Sequence, residues 1–469
     1  MNILMTTVIV AYLVITFGIA YWLKRRVKDN EDFLLAGRKM GVWLTAAMLL
    51  AINFGGAFVL GTSQDAYSVG FAAISFALGI CFGLVFLGVF VVPKIRQENL
   101  YTVPGFLVRR YSSSSIGVIA SLVSVLALTG ILAGQMGAAG AALTALGLDR
   151  TTAVIVGAIL IVLFTVMSGM WGVAITDFIQ FWVIVVGLLV VTFIAVSEAG
   201  GIAEIAATYK ANGDPEAFNP LNQGWTFAVG AALPVIVHKQ VGQDVMQRVF
   251  AAKTTKAARW GAIIAGVLTA VFAVFPALAG MAAMKIFPDL DPNIGVVPAL
   301  IDQVLPVWAA GIIIAALISA VLSTADALLL AAVSNLSHDL LSKVKALHHR
   351  SGLALSRIMT IVLGAVGLVL TLFIPNIITV LTMAFTMYGS GVFVPFIFGL
   401  FTNFGGRWAA NSALVIGAAT SLLGILKVLE VNGIPTIVLG ISASLVTFIV
   451  VGLLAHERKQ KVVQTKAHA

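Results

Sequence analysis

The chain has 469 residues, 60% hydrophobic and only 10% charged, against roughly 25% charged in soluble domains, which excludes a soluble globular protein. Its net charge of +9 suggests nucleic acid only until the charges are placed along the chain, where they mark orientation in a membrane. The single Cys81 lies in an apolar run, so there is no disulfide framework and no cysteine-based metal centre.

Crossing ~30 Å of hydrocarbon takes about 20 apolar residues. Such stretches occur at 3–23, 41–64, 71–92, 116–147, 152–169, 174–197, 224–247, 258–284, 308–334, 353–374, 376–400, 409–428 and 436–455. The sequence therefore predicts an all-α integral membrane protein with about 13 transmembrane helices. With the amino terminus outside, every second connection is cytoplasmic and should be rich in Lys and Arg. Those connections hold Lys24, Arg25, Arg26, Lys28, Arg38, Lys39, Lys94, Arg96, Arg109, Arg110, Arg248, Lys253, Lys256, Arg259, Lys343, Lys345, Arg350, Arg407, Arg458, Lys459 and Lys461. The outer ones hold Asp65, Glu198, Glu204, Asp214, Glu216, Asp289, Asp291, Asp302 and Glu430 instead. The first span lacks a basic start and a small-residue cleavage site, so it reads as a retained helix rather than a signal peptide. This places the carboxy terminus in the cytoplasm and the protein in the cell (inner) membrane as a multi-pass protein. No phosphate-cradling GxxxxGK[ST] loop, HExxH or GxSxG occurs, and no stretch can form a separate soluble domain, so an enzyme or ATP-driven pump is not expected.

The organisation reads as an extra helix and loop (1–40), a first five-helix repeat (41–200), an extracellular loop (201–223), a second five-helix repeat (224–402), two C-terminal helices (403–456) and a cytoplasmic tail (457–469). Five being odd, the second repeat is inverted relative to the first. Each repeat opens with a helix that carries breakers or polar groups in mid-membrane: Asn53-Phe54-Gly55-Gly56 in one, Pro234 with His238-Lys239-Gln240-Val241-Gly242 in the other. Interrupted segments at matching positions of two halves point to a transporter's binding site, although Gly55-Gly56 alone also suits close helix packing. In 308–334, Ala320, Ser323 and Thr324 share one helix face. Two hydroxyls and a carbonyl are the oxygen ligands a hard cation such as sodium takes, although Ser and Thr in membrane helices also bond back to their own helix.

Several segments together resemble the sodium:solute symporter family: Glu31 to Arg38, Val103-Pro104-Gly105-Phe106 with Arg109-Arg110-Tyr111, Gly172 to Gln180, Gln247-Arg248 with Ala251-Ala252-Lys253, and Ala320 to Thr324. The resemblance spans about residues 1–410 and implies a leucine-transporter-like inverted-repeat fold with alternating access. It also implies a sodium ion held by the carbonyls of Ala51, Phe54 and Ala320 and the hydroxyls of Ser323 and Thr324, with Asp177 as nearby negative charge. Where some members bind a second sodium through Ser or Thr, this chain has Ala325, Asp326 and Ala327, so Asp326 stands as a second-ion site, a proton-binding group or half of an ion pair. A carboxylate in a membrane helix costs about 2.5–3.5 kcal/mol on insertion scales, so Asp177 and Asp326 need partners or water; for Asp177, near the inner end of its span, a helix-capping role is the plain alternative. Lys239 could pair with Asp326, meet a solute carboxylate, or snorkel to the interface, while His238 suits a hydrogen-bonded structural role. At positions that contact sugar in sugar-transporting members stand Ala57 and Phe58, which disfavours a polyol. Phe58, Gln135, Lys239 and Thr382 are the solute candidates, the amide and hydroxyl being equally suited to interhelical bonding.

The function expected is sodium-coupled symport of a small organic solute, a carboxylate or amino acid rather than a sugar, with Na+ as coupling ion and no other cofactor. A proton-coupled or sodium-independent carrier that uses Asp326 and Lys239 is the alternative, and a non-transporting membrane sensor ranks behind both. The partners are solute, sodium and lipid bilayer but no nucleic acid, with the chain a monomer or weak homo-oligomer.

Overall fold

In hydrocarbon each backbone N–H and C=O must find its partner within the segment, so the apolar stretches fold as helices. The computed structural model describes residues 3–144, 148–290, 295–341, 352–373, 377–429, 431 and 434–467, with the side chains of 3–6, 57, 141, 168, 377–384 and 456–467 outside that description. Of the described residues 87% are helical and none lies in a strand. Among the described residues ten helices are long and apolar enough to cross a bilayer, and Val42–Asn53 and Phe385–Phe401 are shorter apolar ones. Of the charges that orient the chain, Asp291, Lys343, Lys345, Arg350 and Glu430 lie outside the described residues.

Helix α1 (Ile3–Leu23) lies at the periphery, with Val14 and Trp22 exposed. The short α2 (Asn30–Leu35) is capped by the Asp29 carboxylate, which accepts from the Asp32 N–H at 2.7 Å. The segment expected as one broken span consists of α3 (Val42–Asn53), a wide turn over Ala57–Gly61, and α4 (Thr62–Val69). Beyond it come α5 (Ser75–Phe86), α6 (Val92–Ile95) and α7 (Val103–Tyr111), the last capped by the Thr102 hydroxyl, and then α8 (Ser114–Thr144). Helix α9 (Arg150–Glu198) is two segments that meet directly at Gly169 (φ 51°, ψ −152°). A methyl there would fall 2.6 Å from the Phe33 ring, so only glycine permits the joint. The loop expected at 201–223 contains a helix of its own, α10 (Ile202–Ala211), whose Tyr209 hydroxyl donates to the Ala66 carbonyl at 2.6 Å.

The second interrupted segment is α11 (Gly224–Val241) and α12 (Gln243–Ala251), divided at Gly242 (ψ 120°). Pro234, expected to share in the break, is accommodated inside α11; a proline removes only one intrahelical bond and a neighbouring helix can take up the bend. The remaining helices are α13 (Thr255–Ile286), α14 (Val296–Gln303), α15 (Val307–Ser334), α16 (Gly352–Phe373), α17 (Ile377–Phe401), α18 (Arg407–Ile425) and α19 (Thr436–Ala467). Helix α15 is the central post, buried along nearly its whole length and packed against α9, α8, α1 and α16. Small residues allow this approach: a methyl on Gly187 of α9 would fall 2.5 Å from the Ala316 Cβ, the packing that replaces hydrophobic collapse in lipid.

Candidate ion and solute site

Where α3 ends, the Phe54 N–H still donates to Leu50 O at 2.9 Å, but the Phe58 N–H, the ordinary helical partner of the Phe54 carbonyl, donates to Gly55 O at 3.0 Å instead. Helix α15 passes against this opening. The Ser323 hydroxyl donates to Ala51 O at 3.2 Å and to Ala320 O at 3.1 Å, and the Thr324 hydroxyl donates to Ile52 O at 3.4 Å and to Ala320 O at 2.9 Å. A methyl on Gly55 would fall 2.5 Å from Thr324 Oγ1, so the glycine is what lets the hydroxyls reach the broken turn. Of the five expected sodium ligands, Ala51, Ala320, Ser323 and Thr324 are thus joined in one cluster, with Phe54 at its edge. The Phe54 ring stacks on Phe58 with centroids 4.4 Å apart and meets Phe272 edge-on at 5.9 Å, which forms an aromatic wall beside the cluster.

Two charged pairs lie below the break, both involving α12. Arg248 is fully buried and bonds Asp177 at 3.1 Å, Met48 O at 2.9 Å and Asp244 O at 3.0 Å. One guanidinium therefore ties α9, α3 and α12 together, the fork geometry for which arginine is suited. Asp177 is no helix cap: it is fully buried within the second segment of α9 and satisfied on one oxygen by Arg248, the other oxygen finding no donor among the described residues. Arg248, read from sequence as a cytoplasmic loop charge, is instead buried in this pair; its place in the Gln247-Arg248 motif was the available signal. The second pair is His238 with Asp244 at 3.1 Å, in keeping with a structural histidine.

The remaining candidates are more scattered. Asp326 is buried and has no ion pair among the described residues; its neighbours are the Ala327 backbone N–H and, within electrostatic reach, Asp177 and Arg248. Its expected ion pair with Lys239 is absent among the described residues, and the reason is placement: Lys239 is buried against Gly83 of α5, not against α15. Gln135 on α8 is buried with an unpartnered Oε1, and Phe58 belongs to the aromatic wall. Thr382 falls on α17, outside the described side chains. Tyr12, Gln180 and Ser319 form a polar contact between α1, α9 and α15 that sequence reading did not single out.

The profile of the Sodium:solute symporter family matches residues 33–417. The sodium/pantothenate symporter of Escherichia coli (strain K12) is 28% identical over 462 residues, covering 94% of this chain and 95% of the relative. The high-affinity proline transporter PutP of Bacillus subtilis (strain 168) is 24% identical over 473 residues, covering 95% and 97%. A solved Na+-coupled sialic acid symporter in a substrate-bound outward-open state superposes with a TM-score of 0.83 at 20% identity, covering 97% of this chain and 98% of that one. With the profile spanning most of the sequence and a closely matching fold, the chain belongs to the sodium:solute symporter family and is a membrane transporter rather than an enzyme.

Proposed function

We propose that the protein is a secondary active transporter that couples sodium entry to uptake of a small organic solute by alternating access. The observation that carries this reading is the meeting of the Ser323 and Thr324 hydroxyls with the Ala51 and Ile52 carbonyls across the break, 3.2 and 3.4 Å apart. A sodium ion placed there exchanges two hydroxyl donor bonds for direct oxygen ligation, with the Phe54 and Ala320 carbonyls completing the shell. Binding then fixes the end of α3 to α15 and raises the population of the solute-binding state. The membrane potential adds about 2.3 kcal/mol per charge per 100 mV.

The finer architecture proposed is about thirteen spans, ten of them in two inverted sets of five, with the amino terminus outside and the carboxy terminus in the cytoplasm. Carboxylates and amino acids are favoured over sugars, because Ala57 and Phe58 stand where sugar-transporting members contact their solute, and neither side chain can hydrogen-bond a polyol. A sodium-independent carrier with Lys239 and Asp326 as its charge switch ranks second, since it needs those two groups to meet and no ion pair joins them. The test is solute uptake into proteoliposomes under inward sodium, potassium or proton gradients. Sodium-driven accumulation that is lost in the Ser323→Ala, Thr324→Ala double variant is expected; accumulation driven equally by a proton gradient without sodium would reject it.

A further inference from the structure

Helix α1 runs out of the hydrocarbon into Lys24-Arg25-Arg26-Val27-Lys28, whose four cations all stand exposed. Among the described residues none of the four makes an ion pair. The carboxylates that follow in sequence are engaged elsewhere. Asp29 accepts the Asp32 N–H at 2.7 Å, Glu31 pairs with Arg38 at 2.7 Å, and Asp32 accepts the Lys28 backbone N–H and the Trp171 indole N–H, each at 3.3 Å. Arg26 is held by two indoles: its guanidinium carbon lies 5.6 Å from the Trp22 ring centroid on α1 and 5.1 Å from that of Trp171 on α9, within cation–π range. Contacts of this kind use the face of the guanidinium and leave its N–H edge for an oxyanion.

The same two helices frame a groove further into the membrane. Lined by Val8 and Tyr12 of α1, Phe178, Trp182 and Val186 of α9, and Ala315 of α15, it has a volume of about 490 Å³. The Tyr12 hydroxyl accepts from Gln180 Nε2 at 3.2 Å, so the polar end of that ring is already engaged and the lining offers a guest hydrocarbon and ring surface. Tyr12 and Trp22 are ten residues apart on α1, and Trp171 and Phe178 seven apart on α9, or about 15 and about 10 Å along the helices. Half of a ~30 Å hydrocarbon layer is also about 15 Å. A phosphate at Arg26 therefore sets an acyl chain alongside this groove.

We infer that this seam binds an anionic phospholipid, with an acyl chain in the α1–α9–α15 groove and the phosphate on the Lys24–Lys28 run. The leaflet is the one facing that run, the cytoplasmic one in the proposed topology. The cations alone attract any anion, and the groove alone takes any acyl chain. Set apart by the depth of one leaflet, they fit a molecule that carries both. The positive-inside tendency accounts for basic residues at this end of α1, but not for two indoles that hold one of them in line with an apolar groove. The bound lipid ties the peripheral α1 to α9 and α15.

The experiment uses the purified full chain in a neutral detergent, titrated with phosphatidylglycerol, with phosphatidylcholine of the same acyl chains, and with inorganic phosphate. Thermal shift reports stabilisation, and native mass spectrometry the lipid retained. Phosphatidylglycerol should bind at least about tenfold more tightly than phosphatidylcholine, and added potassium chloride should shrink that difference. Inorganic phosphate should leave the melting temperature where it was. The Lys24→Gln, Arg25→Gln, Lys28→Gln triple variant, confined to exposed side chains, should bind the two lipids alike. Val186→Trp, at a position 46% exposed, puts a ring into the groove and should weaken both lipids to a similar degree. Equal binding of the two lipids by the wild type, a preference that the triple variant or added salt leaves intact, or a phosphate shift as large as that of phosphatidylglycerol would overturn the inference. Val186→Trp binding both lipids as the wild type does would overturn it as well.

Discussion

Removing the hydroxyls of Ser323 and Thr324 one at a time measures the proposed ion site directly. A hydrogen bond to a charged group contributes about 1.5–3 kcal/mol and a neutral one about 0.5–1.5 kcal/mol; ligation of an ion by a hydroxyl is taken on the same scale. Without the ion, each hydroxyl already makes neutral bonds, so the net contribution to sodium affinity is about 1–1.5 kcal/mol each, roughly five- to tenfold. Thr324 should cost more than Ser323. Its contact across the break is the longer, 3.4 against 3.2 Å, so less is given up when the ion arrives. Thr324→Val, which keeps the shape, and Ser323→Ala should each raise the sodium concentration for half-maximal uptake in proteoliposomes. The double variant should fall short of the product of the two, because neighbouring ligands of one ion are coupled. Half-maximal sodium concentrations within about twofold of wild type in all three would refute the reasoning.

Other consequences follow from the same geometry. Gly55→Ala puts a methyl 2.5 Å from Thr324 Oγ1; it should destabilise by about 1–3 kcal/mol and abolish sodium-dependent stabilisation, and an unchanged sodium response in thermal shift would contradict this. Arg248→Met should lower the melting temperature sharply, at about 3–5 kcal/mol for a broken buried pair, whereas the double variant Arg248→Met, Asp177→Leu should recover much of the loss. Equal melting temperatures for the single and the double variant would argue against the pair. Asp326→Asn should leave stability unchanged or raised, since a buried carboxylate without an ion pair is a cost; a lowered melting temperature would count against this.

Much of the fold was legible because the bilayer leaves few choices: a long apolar run that must satisfy its own backbone is a helix. The break at Asn53 to Gly56 was readable because two glycines and an asparagine cannot be explained by lipid exposure, and the hydroxyl face of Ser323 and Thr324 by helical spacing. Pairing was less legible. Arg248 reads as a loop cation in any hydropathy scan, because the scan has no knowledge that Asp177, 71 positions earlier, crosses beside it. For the same reason Asp326 and Lys239 were matched by sign alone, while the packing of Lys239 on Gly83 depends on a contact between α11 and α5 that no local pattern encodes. Helix α10 was hidden for the opposite reason: it is held by Tyr209 reaching the Ala66 carbonyl, not by an apolar run of its own.

The guanidinium of Arg248 grips Met48 O, three residues before the Ala51 carbonyl that Ser323 reaches. The first interrupted helix is thus clasped twice within a single turn, once by α15 and once by α12. The two interrupted helices are therefore joined directly through the Arg248 side chain, and the joint lies within one turn of the Ala51 carbonyl. Helices joined in this way need no long relay of contacts to be coupled; one side chain is the link.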